Sequence, residues 1–178
     1  MSRDLPARTI STISTVDVEV ASWRTVLQGS SRRDEIVSLW EHHVLEPHDK
    51  TRLANEAGIK AVVDYVWSDM GLSHPPVFEL RPPSRAAMAC ATAGKLLFFG
   101  PQTSVTLLHE LAHVMTLTMD ECLGHAPPLE ESHGDVWLAC YVHLLDRYIR
   151  PLNKGYLMLT LSKYGLRPSW SPTIRCDQ

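Results

Sequence analysis

A chain of 178 residues, 44% of them hydrophobic, is long enough to bury the core of one ordinary domain. Its 17 basic and 20 acidic residues leave a net charge of −3, without the basic excess of a duplex-binding surface, and the scattered Arg and Lys form no polybasic membrane patch. No apolar run approaches the ~18 residues of a spanning helix. The opening MSRDLPARTISTISTVDVEVASW has no apolar signal region, so a soluble, cytoplasmic protein is expected.

Taken in chain order, residues 1–30 read as an N-terminal arm, either loose or a strand. In RRDEIVSLWEHHV, Ile36, Leu39, Trp40 and Val44 recur at helical spacing and predict a helix over 33–44, stopped in EPHDK by Pro47. A second helix is expected over 51–70, with Ala54, Ala57, Ala61, Val62, Tyr65 and Val66 as its buried stripe and Gly71 as its stop. PPVFELRP (75–82) reads as a strand bounded by prolines, and 85–101 as two short strands meeting near Ala93-Gly94. Next comes a helix over 104–118 with Thr103 or Ser104 as N-cap, then a connection over 119–132 containing Gly124 and Pro127-Pro128. HGDVWLACYVHLLDRYI (133–149) predicts a long helix ended by Pro151, with Trp137, Tyr141, Leu144, Leu145 and Tyr148 as a core stripe. YLMLTLSKYG is a shorter helical stretch. The class is therefore α+β, one domain over 31–165 with a C-terminal tail over 166–178. The cysteines at 90, 122, 140 and 176 form no C-x-x-C pair and read as reduced packing thiols, Cys122 near His125 being a weak metal candidate.

Chemistry concentrates in the 104–118 helix, which carries His109-Glu110-x-x-His113 within TLLHELAHVMT. One helical turn separates the two histidines, so both imidazoles leave the same face and can reach one zinc ion at about 2.0–2.1 Å. Glu110 lies about 100° further round, beside the ligands, where it can deprotonate a water that zinc has acidified. A chain of this composition has a chance expectation of about 0.025 for the pattern. Burying two His and a Glu on an apolar helix without a metal would also be costly.

A catalytic zinc needs a third protein ligand and an open position. Thr116 and Met119 stand where the metzincin extension needs Gly and His, which removes that class. His133, beside Gly134 at the start of the next helix, is the favoured third ligand. Glu131, spelling E-x-x-x-D with Asp135, is second, since Pro127-Pro128 disfavours a helix through it; His125 is third and can instead polarise a substrate carbonyl. Asp135 reads as an acceptor orienting an imidazole or as charge complementing the helix dipole. His42, His43, His48 and His74 read as surface or capping residues and His143 as structural.

LLHELAH followed by SHGDVW resembles the SprT-like (Spartan-type) zincin domain, in which H-E-x-x-H precedes H-G-x-x-F/W. More closely, HHVLEPHDKTR, VVDYVW, PPVFELRP, VTLLHELAH and HGDVWLACYVHLLDRYI are similar to a family of small metallohydrolases of actinobacteria and their phages. The resemblance covers roughly 40–150. It implies a zincin-like core with a small antiparallel or mixed sheet against the motif helix, His109, His113 and His133 as metal ligands, and Glu110 as catalytic acid/base. The cysteine zinc ribbon and DNA-binding segment that often accompany SprT-like proteases are missing.

The expected function is a zinc metallopeptidase acting on a peptide or protein substrate. KLLFFG (95–100) would either pair with that substrate as an edge or serve as an ordinary strand with Phe98 or Phe99 in the core. His125 or Tyr141 would assist the oxyanion. From another class comes a zinc-stabilised, non-catalytic binding or regulatory protein, such as a phage-encoded interaction protein. A third option is a hydrolase of a non-protein amide.

Overall fold

The structure is a computed structural model that describes residues 32–49, 51–53, 55–83, 89–92, 94–122 and 133–169. The N-terminal arm, His125, Glu131 and the last nine residues of the tail lie outside the described residues. Helix α1 (Arg32–Trp40) runs on through a π-helical turn (Glu41–Leu45) into a short 3₁₀ turn (Glu46–His48). Pro47, which has no N–H to give, sits in that 3₁₀ turn where the sequence places the stop. Val37, Trp40, Val44 and Leu45 form the buried side of this segment.

Residues 51–53 and 55 depart from the expected helix. Arg52–Leu53 is instead a short strand, β1, antiparallel to Gln102–Thr103, which is β5. Helix α2 (Glu56–Asp69) begins only after Asn55, whose side-chain oxygen accepts the Gly58 N–H at 2.8 Å. That cap satisfies an orphan donor that no residue at 51 could reach. The buried stripe is also rotated: Ile59, Val63, Val66 and Trp67 face inward, and Tyr65 is 63% exposed. The larger side chains at this spacing remove more apolar surface from water than the expected alanines. Gly71 ends the segment at a φ of 70°, a conformation that glycine adopts without strain.

Strands β2 (Val77–Arg81), β3 (Ala89–Thr92) and β4 (Lys95–Phe99) form a mixed sheet in the order β2-β4-β3. β4 is parallel to β2 and antiparallel to β3, with Leu96 and Phe98 buried at alternating positions. The strand read as a possible substrate edge is thus central, its hydrogen bonds taken on both sides; the alternative, Phe98 in the core, holds. β3 is an outer strand.

Helix α3 (Ser104–Cys122) starts where Thr103 Oγ1 accepts the Thr106 N–H at 3.2 Å, and buries Val105, Leu107, Leu108, Leu111, Ala112, Val114 and Met115. It packs between the sheet and α4 (Asp135–Tyr148), whose Trp137, Leu138, Tyr141, Leu144 and Leu145 are fully buried. Helix α5 (Lys154–Lys163), capped by Asn153, closes over α1, where Trp40 Nε1 donates to Thr160 Oγ1 at 3.1 Å. Leu166 joins the core, and the Ser169 N–H bonds the Asp135 carbonyl. The class is α+β, and among the described residues no helix is long and apolar enough to cross a membrane.

Candidate metal centre

The α3 spacing places His109 and His113 side by side, their Nε2 atoms 3.2 Å apart. His133 does not ride on a helix. It occupies the turn just before α4, where Gly134 is the N-cap, and its Nε2 lies 3.1 Å from that of His109. All three ligand nitrogens fall within 4.8 Å of one another, close enough to bind a metal ion. Two nitrogens each ~2.0–2.1 Å from a tetrahedral cation would be separated by about 3.3 Å, which these distances approach.

The far side of the rings tells which nitrogen carries a proton. His109 Nδ1 lies 2.7 Å from Glu41 Oε1, and His133 Nδ1 bonds Asp34 Oδ1. An ionised carboxylate only accepts, so these Nδ1 atoms donate, and the Nε2 atoms of the neutral rings turn lone pairs toward a common point. Converging lone pairs repel unless a cation sits among them. With a metal bound, the donor set would be three neutral imidazoles, two of them backed by carboxylates, which suits zinc and other borderline divalent metals.

The protein's own charges act differently on the three rings. Burial disfavours charge on His109, but the hydrogen bond and field of Glu41, aided by Glu110 and Asp34, outweigh it and raise the pKa. Burial, then the fields of His109 and His133, lower His113 to about 3, so its ring is neutral at physiological pH. His133 is lowered mainly by burial, against the pull of Asp34. Glu110, 8% exposed, is raised by burial and by Glu41, against the field of His109.

Trp137 is the packing surface behind the site. Its ring lies 4.4–5.0 Å from all three imidazole centroids and stacks on His113 at 26°. Its indole N–H is buried with no partner among the described residues. On the open side, a cleft of about 460 Å³ is bordered by His109 and Glu110, by Glu41, Asp49 and Arg52, and by Ala89 at the start of β3.

Several expected roles move. The Tyr141 hydroxyl donates to Glu41 Oε1 at 2.7 Å, so it is committed behind the histidines and is not available to an oxyanion. Burial first, then Glu41, raises its pKa well above the ordinary value, keeping it a donor. Asp135 binds Arg33, not an imidazole, and stands in the first turn of α4 where its charge complements the dipole. Arg33 also donates to the His133 carbonyl. His42 pairs with Glu46 on the surface and His43 with Tyr164, while His74 takes a φ of 58°. Burial lowers the pKa of His143, well away from the cluster. None of these joins the three ligands.

Asp34, Glu41 and Arg33 were not foreseen as site residues. One signal was available: Asp34 and Glu41 are seven residues apart, two helical turns, so one face of a predicted helix carries both acids. No protein-family model, curated protein or solved structure matches this chain.

Proposed function

We propose that this protein is a zinc-dependent metallopeptidase with a zincin-like core of the SprT-like kind, in which His109, His113 and His133 hold the metal and Glu110 is the general base. The observation that supports it most is Glu110 itself. A purely structural site needs only ligands, yet here a buried carboxylate with a raised pKa borders the same cleft as His109.

When bound, zinc supplies Lewis acidity, lowering the pKa of water toward about 7 and polarising a carbonyl. Glu110 takes one proton from the attacking water as its oxygen bonds the carbonyl carbon. It then returns that proton to the leaving nitrogen as the C–N bond breaks, so no proton is left over. The carboxylates of Glu41 and Asp34 keep the His109 and His133 rings oriented throughout. β3, the outer strand that borders the cleft through Ala89, offers backbone groups to an extended peptide.

A zinc-stabilised binding protein is the competing reading, and a non-protein amide would be served by the same chemistry. Elemental analysis of the purified chain, with a peptide-library digest by wild type and Glu110→Gln, separates them. The proposal expects about one zinc per chain, cleavage by wild type, and no cleavage by a zinc-loaded Glu110→Gln. A zinc-loaded wild type that cleaves no peptide favours the binding role, and a chain without zinc ends both.

A further inference from the structure

Glu41 makes contacts that a surface acid does not. Its Oε1 receives two donors at 2.7 Å each, the His109 ring N–H and the Tyr141 hydroxyl, which uses both lone pairs of that oxygen. The backbone beneath it is equally fixed. Residue 41 opens the π-helical turn directly after Trp40, which is fully buried, bonded to Thr160 of α5, and edge-on to Tyr141 at 6.1 Å and 84°. π-helical turns are rare and concentrate at functional sites, where they re-aim side chains. Two neighbouring residues are thus divided: Trp40 anchors the chain in the core and Glu41 turns to the metal centre.

Resting on the zinc reading above, we propose that Glu41 is a positioning residue of the metal centre: with Tyr141 behind it, it holds His109 in the Nδ1–H form and aims its Nε2 at the cation. Asp34, seven residues earlier on α1, does the same for His133. One continuous segment that supplies no ligand, α1 with its π-helical turn, therefore orients two of the three, each on a different element. A ligand oriented this way loses no freedom at the moment of binding, and removal of such a partner typically costs 10–100-fold in metal affinity.

The test uses the full chain, with zinc and cobalt(II) as the probes. Affinity is read by competition with a chromophoric chelator, and ligand geometry by the visible absorption of the cobalt form. Glu41→Leu is expected to weaken zinc by about 10–100-fold. Glu41→Gln, which keeps an acceptor oxygen without the charge, should fall between Leu and wild type, and Tyr141→Phe should lose only a few-fold. The Leu and Gln forms should shift the cobalt bands, while Asp64→Asn, at a surface acid paired with Lys60, should not. Should Glu41→Leu fail to fold, ¹⁵N-histidine spectra of zinc-loaded wild type decide the matter, with Nδ1–H expected on His109 and His133. Wild-type zinc affinity and an unshifted cobalt spectrum in Glu41→Leu would overturn the proposal alone, as would Nε2–H on His109. A wild type that takes up no zinc overturns the functional reading beneath it.

Discussion

His113 differs from its two companions in having no carboxylate behind its ring among the described residues, and this difference can be measured as a dependence of stability on pH. In the unfolded chain it takes a proton near 6.5, whereas in the fold burial and two neighbouring histidines hold it at about 3. Between these values the unfolded state binds more protons, so its contribution is complete above 6.5 and is lost as pH falls. The slope is at most about 1.4 kcal/mol per pH unit. His109 runs the other way: its raised pKa gives stability that is lost as pH rises through the folded value. Thermal melts of chelator-treated protein should therefore fall from pH 6.5 to 5, and His113→Asn should flatten that fall. An unchanged slope would mean that His113 is protonated in the fold. Glu110 supplies the matching prediction for turnover. In the proposed mechanism it acts as an ionised base, and burial lifts it above its ordinary 4.5, so kcat/KM should decline on the acid side at a pH above that value. Glu110→Gln should lower kcat by about 10²–10⁴-fold with zinc retained, read by steady-state kinetics and metal analysis.

At the level of elements, two helix starts separate a local effect from one that reaches the site. Asn55 caps α2 through Gly58 and is not among the groups that bond the histidines, so Asn55→Ala should cost about 1 kcal/mol in thermal unfolding and leave zinc affinity unchanged. Trp40 is both a fully buried core residue and the anchor of the Glu41 backbone. Trp40→Ala should cost about 3–5 kcal/mol and also weaken zinc, a double loss that core packing alone does not produce. What the sequence disclosed follows the same division. The clustering of His109 and His113 was legible because helical geometry puts residues one turn apart on one face, and that of His133 because Gly134 beside it marks a helix start. Glu41 and Asp34 were not, since acids on an amphipathic helix read as solvated and only their partners reveal otherwise. KLLFFG was legible as a strand with Phe98 or Phe99 in the core, but no pattern within it names its neighbours, so its central place was hidden. The false helix start at 51 had a similar origin: the pairing of Arg52–Leu53 with residues fifty positions away is non-local.

Across the whole molecule, the three histidines belong to two segments, and both are tied to α1 and the π-helical turn that continues it: α3 through Glu41, and the turn before α4 through Arg33 and Asp34. A cation shared by these imidazoles therefore closes contacts that the unfolded chain cannot make, and its binding free energy adds to folding. At a free zinc concentration 100 times the Kd the gain is about 2.7 kcal/mol, which for a chain of this size is a rise of roughly 5–10 °C in Tm. Chelator should remove that increment and a stoichiometric return of zinc restore it. Glu110→Gln should respond as wild type does, because Glu110 is not among the three ligands. Trp137, packed 4.4–5.0 Å from all three ring centroids, is a built-in reporter, and its fluorescence should change with the same stoichiometry. A stability gain without a change at Trp137 would place the zinc elsewhere on the chain. A change at Trp137 that is abolished by His133→Ala and kept in Glu110→Gln would place it among these histidines, with the carboxylate beside it left for chemistry.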